Sequence, residues 1–295
     1  MSFAEELESA VSKLAAEIGP SVVGIGQRWG LGSGIIVAPG QILTNAHNVR
    51  GDEVNVTFSD GRTEKAQPKA ADYDRDLAVI AVDTGEARPL EAAGGNGQLK
   101  MGSAVFALSN PGGRGLRVSF GLVSGTERSF RGPRGRRISG SIEHTAPLLP
   151  GSSGGPLVNE AGHLLGVNTN RLGEGFYLAI PADDALNEAI STLGKGEVEA
   201  RPRLGIGVAP PWVARRLRRA VGLAEVSGVL VRVVEDGSPA ANAGIQHGDL
   251  IVAAGGREVA DGDTLHEALD SLKIGGTLSL KVLRGTEERT VDVSL

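Results

Sequence analysis

Apolar residues recur at every third or fourth position at the start of the chain: Phe3, Leu7, Val11, Leu14 and Ile18. This period predicts one helix over residues 3–18, stopped by Gly19-Pro20. Its apolar face has two possible destinations, its own domain or a contact in an oligomer. The period then shortens. SVVGIG, SGIIVA, QILTN, EVNVTF, TEKAQP, LAVIAV and SAVFALS read as short strands, and RVSFGLVSG, SGSIEHTA, GPLVN, HLLGVNTN and GFYLAIP continue the pattern. Pro39-Gly40 and Asp60-Gly61 mark turns between them. About a dozen strands in roughly 180 residues predict a sandwich or barrel rather than a βαβ series. A helix over about 182–193 ends this unit.

Residues 194–202, GKGEVEARP, are small, charged and poor in apolar side chains, as in a linker. The expected domains are therefore 1–193 and 203–295. The second unit carries a strand RLGIGV, a basic helix WVARRLRRAV and strands GVLVRVV and DLIVAAGG. A helix TLHEALDSL and two last strands, TLSLKVLR and RTVDVSL, complete it. No internal repeat is visible.

Composition narrows the chemistry. The 295 residues include 44 glycines and no cysteine, which removes disulfides, thiolate metal sites and a cysteine nucleophile together. A formal charge of −5 argues against a dedicated nucleic-acid binder. The first 23 residues show neither a basic-then-apolar leader nor an apolar stretch long enough to span a bilayer. As written, the chain reads as cytoplasmic without a membrane segment. A chain trimmed of a leader or anchor would look the same and would be periplasmic or otherwise extracytoplasmic. No cofactor or metal site is expected.

The segment PGSSGGP at 150–156 raises the question of a nucleophile. A serine hydroxyl needs a base, an acid to orient that base, and N–H groups aimed at the developing oxyanion. Glycines beside the serine allow the tight turn that points those N–H groups inward. Of the histidines, His47 follows the strand QILTN, His144 lies in a strand, His163 follows a turn, and His247 and His266 belong to the second unit. Six aspartates separate His47 from Ser153, and only Asp76 runs directly into an apolar strand, LAVIAV. Asp72 and Asp74 read as solvated turn residues. Gly151-Ser152-Ser153-Gly154-Gly155 also satisfies G-x-S-x-G, but strands rather than a helix follow, so the α/β-hydrolase elbow fails on context. Gly30-Leu31-Gly32-Ser33-Gly34 has Ile at position 35, so it misses G-x-G-x-x-G and reads as tight packing on a strand.

The order His47, Asp76, Ser153 in an all-β domain resembles the trypsin-like serine proteases. TNAHNV, DRDLAVI and PGSSGGPLVN…LLGVNT…YLAIP are similar to the HtrA (Deg) family, and the second unit resembles that family's PDZ domain. The resemblance implies a mainly β fold: a trypsin-like double six-stranded β-barrel followed by an α+β PDZ domain. It implies Ser153 as nucleophile, His47 as general base, Asp76 as its orienter, and the N–H groups of Gly151 and Ser153 as oxyanion hole. Family members commonly carry Asn where this chain has Ser152, and Asn just before the loop proline, where it has Leu149. The second departure bears on substrate preference. The family and the neighbouring Leu148 and Leu149 together predict a preference for medium aliphatic residues before the cut bond.

Arg128, Arg131, Arg134, Arg136 and Arg137 read either as a solvated hairpin tip or, by resemblance, as a regulatory loop contacting acidic partners. Arg215, Arg216, Arg218 and Arg219 read as a solvated helix face. Leu204-Gly205-Ile206 is the expected peptide-carboxylate loop, with pairing of the peptide to the following strand. Leu265 and Leu269 are expected to face the groove from the helix TLHEALDSL. The resulting expectation is an ATP-independent serine endopeptidase of protein quality control. Unfolded or misfolded proteins are its substrates, peptide C-termini bind its PDZ domain, and it assembles as a homotrimer. The alternative is a non-enzymatic peptide-binding or holdase protein using the PDZ groove.

Overall fold

Ser2 begins the N-terminal helix α1 (Phe3–Glu17) with a reciprocal cap. Its Oγ accepts from the Glu5 N–H and its own N–H donates to Glu5 Oε2. The computed structural model describes residues 2–27, 30–91, 99–173 and 175–295. Leu14 is fully buried, and Leu7, Val11 and Ile18 pack against the same core, so the helix covers its own domain. Phe3, at its start, meets the edge of Phe120 and is 70% exposed.

The chain forms two compact units, Met1–Glu199 and Ala200–Leu295. In the first, β1 (Val22–Gln27), β2 (Gly30–Ala38), β3 (Gln41–Thr44), β4 (Val54–Thr57), β5 (Thr63–Asp72) and β6 (Leu77–Ala81) close a barrel in the order β1-β2-β3-β6-β5-β4. A second barrel contains β7 (Ala104–Ser109), β8 (Arg117–Arg131), β9 (Arg137–His144), β10 (Pro156–Val158), β11 (Leu164–Gly173) and β12 (Phe176–Pro181), in the order β10-β11-β12-β9-β8-β7. Alternation is cleanest where one face is wet: Val54 and Val56 of β4 point inward, and Asn55 outward. β6 is buried on nearly every residue, so its LAVIA reads as a continuous apolar run. Ile35, Leu43, Val79, Phe106, Leu108 and Val158 belong to one core shared by both barrels, and Leu14 of α1 joins it. Helix α2 (Asp184–Gly194) begins two residues later than the sequence suggests, because Asp183 caps it by accepting from Leu186 N–H.

The second unit holds β13 (Ile206–Ala209), α3 (Pro211–Ala220), β14 (Val229–Val234), α4 (Pro239–Asn242), β15 (Leu250–Ala254), β16 (Arg257–Glu258), α5 (Gly262–Asp270), β17 (Thr277–Arg284) and β18 (Glu287–Ser294). The strand order is β13-β14-β15-β17-β18, with β16 against β15, so β13 is an edge strand. The two-residue β16 and the one-turn α4 were too short to leave a period in the sequence. The core is the unit's own, including Leu204, Val231, Ile251, Leu265, Leu269 and Leu280. Asp249 is buried against Arg284, which donates two hydrogen bonds of 2.8 Å to its carboxylate. The mainly β double barrel and the α+β second unit are the architecture the sequence predicts. Among the described residues no helix is long and apolar enough to cross a membrane.

Candidate active site

His47 sits in a short helical turn, Ala46–Asn48, directly after β3. Asp76 is the last residue before β6 and is 1% exposed. The two meet side chain to side chain: His47 Nδ1 lies 2.9 Å from both Asp76 carboxylate oxygens. The His47 backbone N–H also donates to Asp76 Oδ1 at 3.1 Å, and Thr169 Oγ1 donates to Oδ2 at 2.9 Å. Three donors on one buried carboxylate fix its rotamer and commit the Nδ1 proton, leaving Nε2 as the acceptor nitrogen. Asp76 takes a left-handed backbone, φ 56°, which is costly for a non-glycine residue. Asn45 holds that turn by donating from Nδ2 to the Asp76 carbonyl at 2.9 Å.

Ser153 reaches this pair through Thr169. Its Oγ donates to the Thr169 carbonyl at 2.8 Å, while Thr169's own hydroxyl is on Asp76. The Ser153 hydroxyl is thus rotated toward β11, and no hydrogen bond to His47 is formed among the described residues. Ser152 is 2% exposed, with its Oγ on Ser109 Oγ at 3.1 Å, so only Ser153 presents a hydroxyl to the cleft.

The serine loop is held bond by bond. Ser152 N–H donates to Leu149 O at 3.0 Å, Gly154 N–H to Asn168 O at 2.8 Å and Gly155 N–H to Ser152 O at 3.1 Å. The N–H groups of Gly151 and Ser153 have no acceptor among the described residues. Two unclaimed donors in an otherwise paired loop can bind an oxyanion. Gly154 is in the left-handed region, φ 89°, and a Cβ there would collide with Ser33 O and Thr44 Oγ1.

His144 is fully buried in β9 and stacked on Tyr177 at 5.9 Å between ring centroids. Burial drives its pKa down to about 4, against a smaller upward pull from its contact with Asn168. That contact is a loose one: neither ring nitrogen, nor Asn168 Oδ1, completes an aligned hydrogen bond. His163 and His247 are exposed and His266 is half-buried on α5.

Several sequence readings need correction. Asp72 is 6% exposed, not solvated, because its Oδ1 accepts from the N–H groups of Asp74 and Arg75 and shapes the turn into Asp76. Asp74 faces Arg136 at 3.7 Å. The arginine-rich hairpin is not simply a wet tip. Arg136 is 7% exposed, Arg134 lies over the Tyr73 ring at 5.0 Å, and Arg128 pairs with Glu143 at 3.2 Å. The β8–β9 hairpin therefore packs on the turn that carries Asp76. On α3, Arg215, Arg216 and Arg219 are exposed, but Arg218 is buried because its Nε donates to the Ala224 carbonyl. Leu148 packs partly into the second barrel, whereas Leu149 is half exposed.

In the second unit the Leu204 side chain is core, and its carbonyl accepts from Ala240 N–H at 3.0 Å. Gly205, φ 74°, accepts from Glu235 N–H at 2.9 Å, and a Cβ there would collide with Ser238. Ile206 starts the free-edged β13. Leu265 and Leu269 are buried in the unit's core.

Residues 32–167 match the Trypsin-like peptidase domain family and residues 202–295 the PDZ domain family. The putative serine protease HhoA of Synechocystis sp. is 37% identical, over 90% of this chain and 70% of its own length. The serine protease Do-like HtrA of Bacillus subtilis is 30% identical over 99% of this chain and 74% of its own. Protease Do-like 1, chloroplastic, of Arabidopsis thaliana is 33% identical over 90% of this chain, which spans only 63% of that relative. The chain spans 57% of a probable periplasmic serine endoprotease, DegP-like, of Halomonas elongata. Among solved structures, an HtrA-type protease AlgW with decapeptide superposes with a TM-score of 0.66 at 27% identity, covering 96% of this chain and 97% of that one. The serine endoprotease from Yersinia pestis gives 0.64 at 27% identity, with 96% of each chain covered. With its two barrels, its His47–Asp76 pair and its serine loop, the chain belongs to the HtrA (Do-like) family of trypsin-like serine proteases, its peptidase domain followed by a PDZ domain.

Proposed function

We propose that this chain is an ATP-independent serine endopeptidase acting on unfolded or exposed protein segments in protein quality control. The observation that carries the reading is the His47–Asp76 pair beside a serine loop with two unclaimed N–H groups. Substrate binding turns the Ser153 hydroxyl from the Thr169 carbonyl toward His47 Nε2, a contact that commonly tightens only in the Michaelis complex. Ser153 Oγ then attacks the scissile carbonyl carbon while His47 takes its proton. The carbonyl oxygen becomes an oxyanion held by the Gly151 and Ser153 N–H groups. Collapse expels the amine, which receives the proton from His47, and water repeats the sequence on the acyl-enzyme. Asp76 holds the Nδ1 proton throughout and steadies the imidazolium.

The PDZ unit binds a peptide carboxylate at Leu204–Ile206, using backbone N–H groups, and adds the peptide as a strand beside β13. The AlgW structure with decapeptide supports a peptide role for this architecture. The assembly is a trimer, a reading supported by the exposed Phe3 on α1. A monomer in sedimentation at micromolar concentration would refute it. The cytoplasmic reading stands against the periplasmic and chloroplastic compartments named for two relatives. Fractionation of the cells that make the protein decides between them. Degradation of casein without nucleotide, lost in Ser153→Ala, tests the central activity. A wild-type protein that holds casein without cutting it would favour the non-enzymatic alternative.

A further inference from the structure

The glycine-rich stretch around Ser33 in β2 has no role in the triad, yet Ser33 touches the serine loop twice. It is fully buried, and every polar atom it owns is engaged. Its N–H donates to Ser153 O at 2.9 Å, and its Oγ donates to Gly151 O at 2.9 Å. The same Oγ accepts from Asn110 N–H at 3.0 Å, and the Ser33 carbonyl accepts from Thr44 Oγ1 at 2.6 Å. With the Asn110 N–H on the oxygen, the hydroxyl proton is committed to Gly151.

These bonds fall on particular peptide planes. The plane joining Gly151 to Ser152 is held at both ends, its carbonyl by Ser33 Oγ and its N–H by Leu149 O. It lies between the two planes that carry the unclaimed N–H groups of Gly151 and Ser153. Rotation of this middle plane changes the angle between those two donors. The plane joining Ser153 to Gly154 is held the same way, by Ser33 N–H and Asn48 Nδ2 on its carbonyl and by Asn168 O on its N–H. Ser33 thus grips alternate planes of the loop, from the other barrel.

We infer that Ser33 is a positioning residue for the oxyanion donors: its hydroxyl fixes the Gly151–Ser152 plane so that the Gly151 and Ser153 N–H groups converge on one point. This rests on the serine-peptidase reading above. Because the misalignment matters only once the oxyanion has formed, the hydroxyl acts on the transition state and not on substrate capture.

The test compares wild type, Ser33→Ala, Ser33→Cys and Ser21→Ala on a short chromogenic peptide, together with affinity for a peptide boronic acid that forms a tetrahedral adduct on the serine. Ser21 is a buried serine whose hydroxyl donates to Arg88 O at 2.6 Å and whose N–H donates to Ile18 O, neither in the serine loop, and it serves as the stability control. Ser33→Ala is expected to lower kcat about tenfold or more, to leave KM within about twofold, and to weaken the boronic acid by a factor like that on kcat. Ser33→Cys, which keeps the shape and a weak donor, should fall between. Ser21→Ala should lower Tm without moving kcat. The inference fails if folded Ser33→Ala keeps wild-type kcat and boronic acid affinity, or if its losses are matched by Ser21→Ala at equal loss of Tm. If Ser33→Ala does not fold, a Ser33→Cys protein with wild-type kcat overturns it equally. An inert wild type would instead defeat the peptidase reading, and this inference with it.

Discussion

At the residue scale, catalysis depends on which groups are held and which are left unclaimed. Asp76→Asn keeps the packing but offers His47 a donor where it needs an acceptor, so the imidazole tautomer is lost. We expect kcat to fall by about four orders of magnitude, measured on a short peptide, with Tm changed little. Ser153→Ala and His47→Ala should each leave only background cleavage. His144 gives a separate prediction about pH. Its folded pKa is near 4 against an ordinary value of 6.5, so the unfolded chain binds more protons between those values. Stability is therefore complete above about pH 6.5 and declines as pH falls toward 4, by up to about 3 kcal/mol. Thermal melts of His144→Gln should show a shallower loss of Tm over that window. Parallel curves for the two proteins would show that His144 does not titrate there.

At the scale of elements, the β8–β9 hairpin and the turn into β6 form one mechanical unit. Arg136 sits at their contact, 7% exposed and facing Asp74. Arg136→Gln should cost about 1–3 kcal/mol of stability. It should also lower kcat several-fold, because the strained turn at Asp76 loses a support. A variant that loses stability while keeping full kcat would show that the hairpin only packs. The partners in this contact lie far apart along the chain. The strands and the candidates His47, Asp76 and Ser153 were legible because alternation and glycine-bounded turns are local signals; the double barrel, which alternation left open as sandwich or barrel, followed from the family resemblance. Arg136 against Asp74, Thr169 against Asp76 and Ser33 against Gly151 join residues 62, 93 and 118 positions apart. No periodicity reports such pairs. Thr169 had one faint signal, its place at the end of the buried run LLGVNT, where a hydroxyl among apolar residues needs a partner. Asp72 looked solvated because a carboxylate in a turn usually is; its burial follows from capping two N–H groups of that turn. Arg218 looked like its exposed neighbours because one helix turn away from Arg215 is a small rotation, and the carbonyls of Ala224 and Gly285 that draw it inward lie outside the helix.

At the scale of the molecule, the two units keep separate cores and are joined by a short connection after α2. Truncation after residue 197 should therefore leave a folded protease that cleaves short peptides at the wild-type rate. Its cleavage of unfolded protein should weaken, mainly through a higher KM, because on the proposed reading a peptide-binding unit tethered by a short linker raises local substrate concentration to about the millimolar range. Equal rates and equal concentration dependence on casein would rule out a tether and make the PDZ unit a regulator. Gly205→Glu is a poor probe of the same point, since any side chain there meets Ser238.

On the proposed reading, one serine of the adjacent pair is a nucleophile activated by His47. The most direct test is peptide mapping by mass spectrometry after reaction with a fluorophosphonate. We expect one adduct, on Ser153 and not on the buried Ser152, absent from His47→Ala and Ser153→Ala. An adduct on Ser152, or none on a folded wild-type protein, would contradict it.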